Sequence, residues 1–155
     1  MHPRRDLRSD AGATLVEMLV ALVILGTAGL AVMAGLQLSI KASDIHRKQS
    51  SAGAFVRNYA EKIQDYVEAA DSHYDACGGG VDYSPATVGF TVPAGYDATV
   101  DSVVPLAGDG ATLACASDAG VQRVKLIVNS EGTHNRTTEE LIIIVRRSCD
   151  PSAPC

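Results

Sequence analysis

From Met18 to Ile40 the chain runs for 23 residues without a charged side chain, and no other feature restricts its possible folds as much. In a helix rising about 1.5 Å per residue, such a run crosses the roughly 30 Å hydrocarbon core of a bilayer. One carboxylate, Glu17, stands at its head. A charge inside an apolar span is unfavourable by roughly 2.5 to 3.5 kcal/mol at the helix centre and by less near the ends, so Glu17 needs a partner. Residues 1–12 are polar, set Arg4, Arg5 and Arg8 against Asp6 and Asp10, and stop at the small residue Gly12. Because orientation follows Lys and Arg, that flank keeps the N-terminus on the cytoplasmic side.

The register of these parts is specific: a basic leader ending in Gly12, then Thr14-Leu15-Val16-Glu17, then the apolar helix. It resembles the class III signal of type IV pilins and type II secretion pseudopilins. The resemblance implies that a prepilin peptidase cuts between Gly12 and Ala13 and methylates the new amine. Thr14 then becomes the second mature residue and Glu17 the fifth. Ala13 stands where major pilins usually carry Phe, which weakens any claim to be a major subunit and suits a minor one. The partners implied are other pilin subunits through the N-terminal helix, the peptidase, membrane lipid before assembly and the pilus assembly platform; no cofactor is implied. Apart from the family, cleavage would place a positive amine at Ala13 beside a carboxylate, and neutralising that charge in trans would set the axial register of a neighbouring helix.

Two other readings of this stretch stay open. One is an ordinary secretory signal peptide cut after Val32-Met33-Ala34, before Gly35; the other is an uncleaved single-span anchor. The internal charge and a run longer than the usual roughly 7 to 15 residues oppose the first. The chain carries 13 Lys and Arg against 18 Asp and Glu, of which the leader holds 3 and 2, leaving a mature net charge of −6. Such a balance gives no general attraction to nucleic acid or anionic lipid, so nucleic acid is not an expected partner and any DNA contact would be local.

Beyond Ile40 the helical period persists. Ala52, Val56, Tyr59, Ile63, Val67, Ala70 and Tyr74 recur at spacings of three and four, widened by Phe55 and Tyr66, with Lys48, Asn58, Glu61, Lys62, Asp65 and Glu68 off the stripe. Asp44 with Lys48 and Arg57 with Glu61 are opposite charges at i and i+4. No Pro falls between residues 4 and 84, so one helix from about Ala13 to about Ser72 is expected. Gly26, Gly29, Gly35 and Gly53 lower its propensity, while small residues such as Ala31 and Gly35 permit close helix packing in a membrane or filament core. At residue 34, where many major pilins carry Pro, this chain has Ala34.

Turn residues from Asp71 to Asp75 and the triplet Gly78, Gly79 and Gly80 end the helix. Four runs rich in Val and Thr follow as expected strands: Thr87 to Val92, Ala98 to Val104, Val121 to Asn129 and Glu140 to Arg146. In the third, Val124, Leu126 and Val128 alternate with Lys125 and Asn129. The fourth is apolar throughout from Leu141 to Val145, the pattern of a central or doubly covered strand. The expected fold class is α+β: a long N-terminal helix packed on a small four-stranded antiparallel sheet in meander order, a pilin-like roll. Its divisions are a leader over 1–12, an apolar helix half over 13–40, an amphipathic half over 41–75, and an extracytoplasmic sheet domain over 76–155.

Cys77, Cys115, Cys149 and Cys155 all follow the span, an even number in a small domain, which points to disulfides and export. Of three possible pairings, Cys77 with Cys115 and Cys149 with Cys155 is favoured, and Cys115 with Cys149 is the main alternative. A zinc site would have to join thiolates to His73 or His134 without any Cys-x-x-Cys, and none is expected. His2, His46, His73 and His134 are scattered, and no nucleophile motif, phosphate loop or paired carboxylate stands in a catalytic context, so no enzyme activity is expected. Asp101, Asp109 and Asp118 are too dispersed for a calcium loop. Asn135-Arg136-Thr137 matches a glycosylation triplet of a kind common by chance. Arg123, Lys125, Arg146 and Arg147 fall on neighbouring strands and fit a solvated sheet face better than a DNA site. The function classes are therefore a minor pilin, a type II secretion pseudopilin, and a pilus-tip adhesion or DNA-uptake module.

Overall fold

The computed structural model describes residues 14–76, 83–132 and 135–148. Along the chain come α1 (Leu15–Ala69), a 3-10 turn (Asp71–His73), β1 (Tyr96–Pro105), a second 3-10 turn (Cys115–Ser117), β2 (Val121–Ser130) and β3 (Thr138–Arg146). Two compact units, Met1–Lys41 and Ala42–Cys155, divide within α1.

In the second unit α1 buries Ala52, Val56, Tyr59, Ala60, Ile63 and Val67, with Phe55 and Tyr66 half-buried beside them. This is the stripe expected from spacing, and Tyr74 joins the same core from just beyond the helix. Half-buried Asp44 pairs with Lys48 at 3.2 Å and Arg47 at 3.6 Å. Arg57 and Glu61 are both exposed and make no pair among the described residues. The helix stops at Ala69, and Ala70 is extended with φ −160. His73 then folds back: its Nδ1 donates to the Tyr66 carbonyl at 2.6 Å and its ring stacks on Tyr66 at 4.0 Å, satisfying one of the orphan carbonyls of the last turn.

Among the described residues the sheet has three strands, in the order β1-β2-β3, all antiparallel, and the fourth expected strand is not there. The run Thr87 to Val92 instead opens as a helical turn. Val88 and Phe90 donate their amides to the carbonyls of Ser84 at 3.1 Å and Pro85 at 2.8 Å, and Gly89 closes the turn at φ 69. Ser84 caps it, accepting the Thr87 amide at 3.4 Å, and Pro85 stands where its missing N–H is harmless. Val88 and Phe90 still reach the core, Phe90 stacking on Tyr59 at 5.0 Å.

β2 is the central strand and alternates as expected: Gln122, Val124, Leu126, Val128 and Ser130 are buried. It pairs with β1 from Tyr96↔Ser130 to Pro105↔Gln122 across a bulge between Val100 and Ser102, and with β3 from Val121↔Arg146 to Asn129↔Thr138. β3 corrects the expectation of a doubly covered strand. Leu141, Ile143 and Val145 face the core, but Ile142 is 58% and Ile144 45% exposed on an edge strand.

Candidate functional site: the start and apolar half of the helix

The first helical bond runs from the Met18 amide to the Thr14 carbonyl at 3.1 Å, and the Thr14 hydroxyl accepts the Glu17 amide at 3.3 Å. Thr14 is thus the N-cap, and Thr14-x-x-Glu17 has the spacing of a capping box. Glu17 sits in the first turn, where the helix dipole favours a carboxylate. Neither role entered the expectations above, although the pattern of Thr and Glu ahead of an apolar run announces it.

From Leu15 to Ile40 every apolar side chain is exposed, as in Leu15 at 81%, Leu25 at 73% and Ile40 at 71%. A helix of a soluble domain hides one face; this segment hides none, and α1 is long and apolar enough to cross a membrane. Thr27 turns its hydroxyl back onto the carbonyls of Val23 and Ile24, both at 3.0 Å, so it presents little polarity to its surroundings. Glu17 is then the one charge at the head of an apolar rod. The cleavage residues Gly12 and Ala13 lie outside the described residues.

Residues 7–33 match the model of the prokaryotic N-terminal methylation motif. This chain carries a class III prepilin signal. No curated protein and no solved structure matches the chain. The prepilin signal supports a type IV pilin-like or pseudopilin subunit, points to a structural role, and implies processing by prepilin peptidase and assembly with other pilin subunits. Together with the exposed apolar helix, it is consistent with a single-pass membrane-anchored pilin.

The sheet-bearing unit contains a second cluster that sequence reading missed. Asp118 accepts the Tyr74 hydroxyl at 2.7 Å and the Gly120 amide at 2.8 Å on one oxygen, and Gln122 Nε2 at 2.7 Å on the other. Gln122 Nε2 also donates to the Asp75 carbonyl at 2.6 Å, its Oε1 accepts the Tyr83 hydroxyl at 3.2 Å, and the Tyr83 carbonyl accepts the Tyr59 hydroxyl at 2.6 Å. Burial first, then the Asp118 carboxylate, pushes the Tyr74 hydroxyl well above its ordinary range, so it stays a donor. This network joins α1, the segment after it and the start of β2; its satisfied bonds assign it a structural role. Cys115 lies three residues before Asp118 and is disulfide-bonded. Cys77, Cys149 and Cys155, and with them the pairing, fall outside the described residues.

The four basic residues are not one free patch. The register puts Arg123, Lys125 and Arg146 on the outer face of the sheet. Lys125 lies 3.2 Å from Glu140 and 3.4 Å from Asp101. Arg147 turns towards Asp71 at 3.7 Å and covers the Tyr74 ring at 5.0 Å. Asp109 holds its own turn through the Ala111 amide at 2.9 Å, and no cluster suited to a metal ion occurs among the described residues. Asn135 has a turn role: at φ 53 its amide donates to Asp44 at 3.2 Å, and Thr137 is buried against Ser130. His134 lies outside the described residues.

Proposed function

We propose that this chain is a structural subunit, a minor pilin of a type IV pilus or related filament, taken from the membrane into the assembly after cleavage between Gly12 and Ala13. The observation that carries the reading is the prepilin signal over residues 7–33 leading into a helix half with no buried face. Lipid covers that half before assembly, and the helices of neighbouring subunits replace lipid afterwards through van der Waals packing, aided by small residues such as Ala31 and Gly35. Glu17 is the assembly residue: its carboxylate pairs with the methylated amine of Ala13 on a neighbouring helix and sets the axial register, with Thr14 holding the turn that displays it.

Replacing Glu17 by Ala tests this reading. The Glu17→Ala chain is cleaved normally yet absent from sheared filaments; its normal incorporation contradicts the pairing. The type II pseudopilin reading uses the same parts, and neighbouring genes separate the two: a retraction ATPase marks a pilus, a secretin with secretion partners the other system.

Cys115 pairs with Cys77 in this account, and Cys149 with Cys155. Two contacts support the first pair, because Tyr74 and Asp75 are bonded to Asp118 and Gln122, bringing the segment just after the helix to the approach of β2. Peptide mapping of the unreduced protein checks it: a fragment linking Cys77 to Cys115 is expected, and one linking Cys115 to Cys149 refutes it.

A further inference from the structure

The outer-face residues of β3 are, in order, Thr138, Glu140, Ile142, Ile144 and Arg146. An acid and a base thus stand at equal distances from Ile143, with one exposed isoleucine on each side. Among the described residues β3 pairs only with β2, and none of them bonds the backbone of its other edge. Nothing from Leu141 to Val145 blocks that edge, for it contains no charge, no Pro and no bulge. The opposite edge strand, β1, is broken by a bulge at Asp101 and ends on Pro105. The two edges of one sheet are therefore treated differently.

We propose that β3 pairs antiparallel with β3 of a second copy of this chain, about a two-fold axis through Ile143, fusing two sheets into one. In that register Glu140 faces the partner's Arg146, and Ile142 faces the partner's Ile144, each contact occurring twice by symmetry. A shift of two residues breaks the charge pair, setting Glu140 against Ile144 in one direction or Arg146 against Ile142 in the other, and a parallel in-register pairing sets Glu140 against its own copy, so the charge pattern selects this one arrangement. Glu140 is available for it because Lys125 keeps Asp101 as a second partner. A two-fold normal to the sheet reverses every direction in the sheet plane, including that of the α1 segment packed on it. The contact therefore joins copies whose sheet-packed α1 segments run in opposite directions, and only the nanodisc format of the test rests on the membrane-anchored subunit reading.

The test uses the full processed chain at one copy per lipid nanodisc, followed by sedimentation velocity. Wild-type discs associate in pairs. Glu140→Arg alone and Arg146→Glu alone each bring like charges together and weaken association by about tenfold or more. An equimolar mixture of the two variants restores opposite charges and pairs within about threefold of wild type, as does the double variant. Both side chains are exposed, so the fold persists in the variants, as circular dichroism verifies. Single variants that associate like wild type, a mixture that stays apart, or wild-type discs that remain single overturn the proposal. Failure of the chain to enter discs counts against the membrane reading instead, and the same mixing series on the lipid-free chain then decides the β3 contact by the same criteria.

Discussion

Gln122 is fully buried and polar, and its amide serves three partners at once: the Asp75 carbonyl, the Asp118 carboxylate and the Tyr83 hydroxyl. Truncating it to an apolar shape removes all three of these bonds, each worth about 1 kcal/mol net. Gln122→Leu is therefore expected to destabilise the folded chain by about 3 kcal/mol and Tyr74→Phe, which removes one donor, by about 1 kcal/mol. Urea unfolding of the two variants gives the comparison, and equal losses contradict the network. At this scale the sequence was legible where alternation marks burial, as with Val124, Leu126 and Val128. It was not legible for Gln122, whose place in an alternating strand marks burial but not its partners, two of which, Tyr83 and Asp75, come from 39 and 47 positions away. The triplet at Asn135 carried little information, and the positive φ with the bond to Asp44 describes a turn residue.

At the scale of elements, α1 and β2 could be drawn from periodicity because each hides a regular face: three and four apart along the helix, every second residue along the strand. The run Thr87 to Val92 failed because a buried Val and Phe look alike in a strand and in a capped turn; Ser84, Pro85 and Gly89 were the overlooked signals. The apolar stretch of β3 failed for another reason: continuous apolar character usually means two covered faces, and here one face stays open. The connection between β2 and β3 is clasped to α1 by Asp44, which accepts the Asn135 amide, while the Lys48 ammonium approaches both. The Asn135 hydrogen bond, then Lys48, hold the Asp44 carboxyl below its ordinary value of 3.8 against the opposing effect of desolvation. A lowered folded-state pKa means that the clasp is in force above the unfolded value and is lost as pH falls through the folded one. Amide protection around Asn135, taken relative to the intrinsic exchange rate at each pH, is thus expected to be steady from neutrality down to about pH 4 and to fall below it. Asp44→Asn removes this dependence, and loosening on raising the pH contradicts the assignment.

For the whole molecule, two kinds of surface are built into one chain. The sheet-bearing unit hides its apolar groups in a core shared by Tyr59, Ile63, Leu126 and Val145. Among its described residues the N-terminal unit hides none of its own, which on the proposed function leaves them for lipid or other helices to cover. On the proposed function, this exposed half becomes an assembly surface only after the leader is removed. Intact-mass measurement with N-terminal sequencing of the exported protein tests it most directly. The account predicts a chain beginning at methylated Ala13; a chain beginning at Gly35, or one still carrying residues 1–12, contradicts it.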